Sequence, residues 1–235
     1  MSLKNWDNKT WLSSPSYIKS FNSFLLKQIK LDKNSQILDI GCGRGKILGN
    51  LSSILNLKNK PLGLDIEKHK DSDKRIFFEK KEELKFLKRN KKKFDLILIK
   101  QTIHLFKIND IEKLLKLSIK SLNPKGKIFI FSLETKKNEL PTFSKMKLKL
   151  NKSLLRDEKI FRLIFKQFKK KKLINFSFTV KLSKKKYLEM INNRYITTLL
   201  NFSKKELHLG LKEIDEKYDN LIQFNDKLKC IILRK

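Results

Sequence analysis

Seven glycines occur in the 235 residues, and four of them, at 41, 43, 45 and 49, fall within nine positions. A chain this sparing with glycine crowds four together only where the backbone must turn and a side chain would obstruct it. The stretch Asp39-Ile-Gly41-Cys42-Gly43-Arg-Gly45 ends the apolar run 36–41 and precedes a helix-length segment, 45–57. A strand that enters such a turn and then a helix presents main-chain N–H groups and the positive end of the helix dipole to a ligand. Asp65 ends the next apolar run, where an acid in this kind of fold can accept from both hydroxyls of a ribose. The dinucleotide fingerprint G-x-G-x-x-G needs a small residue at position 46. Lys46 stands there, which disfavours a nicotinamide enzyme.

Positioning these residues requires an alternation of strands and helices. Apolar runs at 36–41, 61–66, 75–79, 94–100 and 126–132 predict buried strands, and 45–57, 81–90 and 109–122 predict the helices between them. The last of these helices is expected to start with Asn109 as N-cap and Glu112 three residues on. Such alternation predicts a parallel, doubly wound sheet. An earlier helix has Ser14 as its cap, Pro15 in its first turn and the apolar stripe Tyr17, Ile18, Phe21, Phe24 and Leu25. Beyond Leu133 the expected order is a Lys-rich helical stretch (134–172), a half-buried strand (173–182), helices near 184–193 and 203–218, and a last strand at 228–233. The second of these helices opens with the capping box Ser203 and Glu206. No long linker interrupts the chain, which predicts one domain over 1–235: an N-terminal helical segment to 30, a binding core from 31 to 133 and a C-terminal part from 134.

Over residues 36–133 the sequence resembles the class I S-adenosylmethionine (SAM)-dependent methyltransferases. Ile37-Leu-Asp39-Ile-Gly41-Cys-Gly43-Arg-Gly45 is similar to the family's first motif, D/E-x-G-x-G-x-G, and Leu62-Gly-Leu-Asp65-Ile66 to its second. Phe94-Asp-Leu-Ile-Leu-Ile-Lys100-Gln101-Thr-Ile-His104 resembles the fourth-strand motif of the small-molecule branch. Leu122-Asn-Pro-Lys-Gly126 resembles the turn before the fifth strand, with Lys125 replacing one glycine. The resemblance implies a Rossmann-like, doubly wound sheet of seven strands, mostly parallel with an antiparallel last strand, and a helical cap. It implies SAM as methyl donor and no metal. It assigns the donor to Asp39, Gly41, Cys42, Gly43, Gly45, Asp65, Ile66, Lys100 and Gln101, with Glu82 as the acid for the adenine amino group. Beyond 133 the chain is similar to the branch of trans-aconitate, ubiquinone-type and related small-molecule methyltransferases, in which helices between the last two strands lid the acceptor pocket.

On the acceptor side, His104 is the expected base because it follows the fourth strand at the carboxyl edge of the sheet, and it could equally just pack at a helix start. Lys100, a second catalytic candidate, and Gln101 could hold an acceptor carboxylate or hydroxyl, or line the donor. Tyr17, with Trp6 and Trp11 before it, could fold over the donor or simply pack. Arg194 and Tyr195 lie in the expected lid, and a lone Arg there could grip an anionic acceptor or form an ion pair. Phe161, Ile164, Phe165 and Phe168 are expected to cover the sheet, with Lys169 to Lys172 as a solvated end.

The formal charge of +32 points toward polyanions. Of 56 basic residues, however, only seven are Arg, and the chain has no Ala and one Val, Val180. That composition looks like AT-rich codon choice, and scarce Arg weakens a nucleic-acid reading. Enzymes that methylate base amino groups typically end the fourth strand with Asn- or Asp-Pro-Pro-Tyr/Phe, and Lys100-Gln-Thr-Ile103 stands here. A small-molecule acceptor is therefore expected, with an RNA methyltransferase or a non-catalytic SAM-binding protein as alternatives. No run is apolar enough to span a membrane, the start lacks the apolar stretch of a secretion signal, and Cys42 and Cys230 are expected unpaired. These features predict a cytoplasmic protein.

Overall fold

Neighbouring residues on each central strand feed opposite cores. The computed structural model describes residues 10–235; Trp6 lies outside them. Along β4 (Phe94–Lys100), Leu96 and Leu98 enter one core and Ile97 and Ile99 the other, and along β5 (Leu122–Leu133), Phe129 and Phe131 oppose Ile128 and Ile130. Strands this uniformly apolar must be covered on both faces. β1 (Ile37–Ile40), β2 (Leu62–Asp65) and β3 (Phe77–Lys80) complete the parallel part, and β6 (Lys171–Ser183) and β7 (Leu221–Arg234) follow. The seven strands run in the order β3-β2-β1-β4-β5-β7-β6, with β7 antiparallel to both neighbours. The expected mostly parallel sheet with an antiparallel last strand is therefore present. The direction of winding reverses between β1 and β4, and their carboxyl ends flank the crevice where this architecture places ligands.

One core is covered by α1 (Pro15–Leu26) and α2 (Lys46–Leu55), and the other by α3 (Glu83–Arg89) and α4 (Ile108–Lys120). The long α5 (Ser144–Gln167) serves both: Met146, Leu150 and Leu154 enter the first, and Ile160, Phe161 and Ile164 the second. Between β6 and β7, α6 (Lys184–Asn192) and α7 (Lys204–Lys217) bring Tyr187, Met190, Ile191, Leu207 and Ile214 to the first core. Ser14 caps α1 with Pro15 in its first turn, and Ser203 and Glu206 cap α7 reciprocally, as their spacing predicts.

Three expectations need correction. α4 starts at Ile108 with Lys107 in the cap position, so Asn109 lies inside it. The buried Ile103, in a 3-10 turn just before, anchors the chain ahead of Asn109. β3 is an edge strand rather than a buried one, and Phe77 is 59% exposed. β7 begins at Leu221 rather than 228 and pairs with β6 along its whole length. The alternation of apolar residues was obscured there because one inward position is a carboxylate, Asp226. Among the described residues no helix is long and apolar enough to cross a membrane.

Candidate functional site at the carboxyl edge of the sheet

Gly41, Gly43 and Gly45 all have left-handed backbone, with φ of 72°, 54° and 69°. A Cβ on Gly41 would lie 2.3 Å from Thr102, and one on Gly45 would lie 2.2 Å from Ile76. A Cβ on Gly43 would meet nothing within 4 Å. Two of these glycines are thus demanded by packing, while the third turns its bare backbone toward open space. The Leu64 carbonyl accepts from the N–H groups of Gly41 and Cys42, at 2.9 and 3.0 Å, which ties the turn to β2. Asp65 Oδ2 accepts from the Gly43 N–H at 2.8 Å and Oδ1 from the Glu67 N–H at 3.1 Å. Burial pushes the Cys42 thiol well up, which disfavours its thiolate.

The fourth glycine serves a different neighbour. A Cβ on Gly49 would lie 2.4 Å from the Asp73 carboxyl carbon. Asp73 pairs with Arg75 at 2.6 Å, and its N–H donates to the Arg44 carbonyl. Arg44, 5% exposed, grips both oxygens of Asp71 at 2.8 and 2.9 Å. This clasp of the β2–β3 loop against the turn was not foreseen, although a lone arginine between two required glycines marks it.

Asp39 is 5% exposed and its Oδ1 has no hydrogen-bond partner. Burial raises its pKa to about 7, against the opposing charge of Lys100. Lys100 Nζ donates to Gln101 Oε1 at 2.9 Å and lies over the rings of Tyr17 and Phe21, 5.2 and 5.5 Å from their centroids. Desolvation brings its pKa down to about 8, while Asp226 and Asp39 pull it up. Gln101 itself is left-handed, with φ of 52°. Tyr17 is fully buried on α1, and the structure brings it together with Lys100; Asp226, absent from the sequence reading, joins them from β7.

The other expected residues are placed less uniformly. Ile66, just past Asp65, is 58% exposed. Glu82 is exposed and paired with Lys85 at 3.2 Å, whereas Glu83 is buried, and burial raises its pKa with Asp65 adding to the shift. His104 sits in the 3-10 turn Ile103–Leu105, where Arg156 donates to its carbonyl and to that of Phe106. Burial lowers the pKa of its imidazole, opposed by Asp157, and Nδ1 has no partner. Asp157, also unforeseen, is buried on α5 and accepts from Ser132 Oγ at 2.9 Å. Arg194 spends its guanidinium on the carbonyls of Leu199 and Leu200, capping a turn within the lid. Tyr195 is buried, its hydroxyl 3.0 Å from that of Tyr187 and its ring against Trp11. Two surface hollows, of about 610 and 690 Å³, lie on the lid side around α6 rather than at the glycine turn.

A family model described as a methyltransferase domain matches residues 14–162, so the chain belongs to that family. Its fold is that of solved SAM-dependent methyltransferases. A SAM-dependent methyltransferase from Geobacter sulfurreducens, crystallised with S-adenosylhomocysteine (SAH), shares the fold with a TM-score of 0.58 at 12% identity, over 98% of this chain and 96% of that one. One from Thiobacillus denitrificans, also with SAH, gives 0.56 at 13% identity over 94% and 92%. The plantazolicin methyltransferase BpumL, in complex with a monoazolic desmethylPZN analog and SAH, gives 0.55 at 17% identity over 98% and 88%. No curated protein matches the chain. The residues present fit the donor: Gly43 leaves an open cradle, and the buried Asp39 Oδ1 lacks a partner beside it.

Proposed function

We propose that the chain methylates a small-molecule acceptor bound between the end of β4 and the cap formed by α1, α6 and α7. The observation that carries this reading is the burial of the polar groups there. Tyr17, Asp39 and Asp226 are at most 5% exposed and lie around the Lys100 amine. A buried, desolvated polar cluster suits a compact acceptor better than a polymer strand.

In this reading the turn Gly41–Gly45 holds the methionine end of the donor, Asp65 the ribose, and Ile66 lies against the base. The acid for the adenine amino group is Glu83 rather than Glu82, because Glu83 is the buried carboxyl adjacent to Asp65. When bound, SAM supplies a methyl group already activated by its sulfonium. The chain's own residues align the acceptor and exclude water. His104, kept neutral by burial, takes a proton from an acceptor that arrives protonated, with Asp157 stabilising the imidazolium.

Release of SAH from SAM, measured with a low-molecular-mass cell extract and separately with total tRNA, tests the proposal. Turnover should require the small-molecule fraction. Turnover with tRNA that persists at physiological salt would replace it with an RNA acceptor.

A further inference from the structure

The polar cluster beneath α1 holds more hydrogen-bonding capacity than its own residues use. Asp226 is 1% exposed, accepts from Trp11 Nε1 at 3.0 Å and faces the Tyr17 hydroxyl. The Tyr17 hydroxyl is fully buried, its proton is drawn toward Asp226, and no group donates to its oxygen. Asp39 Oδ1 is unpartnered, and among the described residues Lys100 forms an ion pair with neither Asp39 nor Asp226. Buried polar groups in folded proteins are nearly always satisfied, so several unfilled ones converging on one place mark a ligand site.

The chemistry of the missing partner follows from the charge count. One amine, Lys100, sits among the carboxyls of Asp39 and Asp226, with Asp65 and Glu83 at the adjoining turn. In a protein of net charge +32 this is a local excess of carboxyl groups over basic ones. The walls are aromatic: Tyr17 meets Phe178 edge-on at 5.2 Å, and Trp11 meets Tyr195 and Phe224 at 5.3 and 5.1 Å. Aromatic rings around a buried carboxylate favour a cation, through the ring quadrupole and through the charge pair. Tyr195 also lines the hollow of about 610 Å³, which brings solvent to the outer side of the Trp11–Tyr195 pair.

We propose that Asp226 and the Tyr17 hydroxyl form a subsite that receives an amine, in its protonated form, carried by the acceptor. The proposal rests on the small-molecule reading and narrows its substrate class. Asp226 accepts from the ammonium, the Tyr17 hydroxyl accepts a second N–H, and Trp11 and Tyr195 close over the carbon skeleton.

Calorimetry of the SAH-loaded protein with three probes of like shape, 2-phenylethylammonium, 3-phenylpropionate and 2-phenylethanol, provides the test. The ammonium should bind at least tenfold more tightly than the other two. Asp226→Asn should abolish that preference while keeping SAH affinity within about twofold, and Tyr17→Phe, which removes only the hydroxyl, should weaken ammonium binding severalfold. If Asp226→Asn fails to fold, the Tyr17→Phe result and the wild-type probe ranking decide. Preference for the propionate would make Lys100 the anchor and overturn the proposal, as would equal binding of the three or binding of none. An absence of SAH heat would instead remove the donor site on which the small-molecule reading stands, so the two failures are distinguishable.

Discussion

β1 and β2 are four residues each and deliver their chemistry through one contiguous glycine turn and the acids that end or flank it, whereas β6 and β7, of 13 and 14 residues, deliver theirs through single side chains far from any motif. At the first pair, the turn from Gly41 to Gly45 ties its N–H groups to β2 and leaves bare backbone facing open space at Gly43, and a backbone that is left-handed three times in five residues favours glycine at each. At the second pair, Asp226 does its work as one inward-facing carboxylate in an otherwise apolar alternation, and nothing local announces it. A site made of backbone leaves its spacing in the sequence; a site made of side chains gathered from remote segments leaves a defect in a pattern.

The largest expected break in this comparison is Gly43→Ala. The added methyl meets no protein atom within 4 Å, so the folded state should lose only about 1 kcal/mol for the left-handed backbone. Donor affinity should fall on the order of 100-fold, about 2.7 kcal/mol, because the methyl enters the cradle. Equal losses in thermal stability and in SAH affinity would mean that the turn is merely structural.

Asp39→Asn sharpens the comparison from the electrostatic side. Burial holds the Asp39 pKa near 7, above its ordinary value, so between pH 5 and 7 the folded protein binds a proton that the unfolded chain has released. Donor-free stability should therefore fall as pH rises through that window. Asp157, Asp226 and Glu83 are shifted in the same sense, and His104, whose pKa is lowered, opposes them. The Asn variant should remove Asp39's share of the slope and stabilise the free protein at pH 8 by on the order of 1–3 kcal/mol, read by denaturant unfolding at several pH values. It should bind SAM less well. A slope identical to wild type would show that Asp39 ionises normally.

Smaller effects separate neighbours. Glu83→Gln should weaken SAH binding severalfold and Glu82→Gln hardly at all; the reverse would restore the register expected from the motif. In the lid, Arg194→Gln should cost about 1 kcal/mol of stability through its lost bonds to the Leu199 and Leu200 carbonyls, with no change in donor affinity.

Legibility followed the same division. The parallel strands, the glycine turn and Asp65 could be placed from spacing, because apolar runs and glycines are local signals. Glu82 and Glu83 could not be told apart, since one residue of register decides which carboxyl turns inward. Arg194 looked like an anion grip because arginine is rare here, yet its left-handed backbone and carbonyl partners form only after the lid folds. Asp157 and Asp226 reach the carboxyl edge from α5 and β7, which only the folded sheet brings to β4.

The central claim is that the bare turn after β1 receives the methyl donor. Hydrogen exchange read by mass spectrometry, with and without SAH, tests it directly. SAH should slow exchange most in peptides covering residues 39–46 and 64–67, and this protection should fade in Asp65→Ala. Protection confined to the lid helices, with the turn unchanged, would contradict the account.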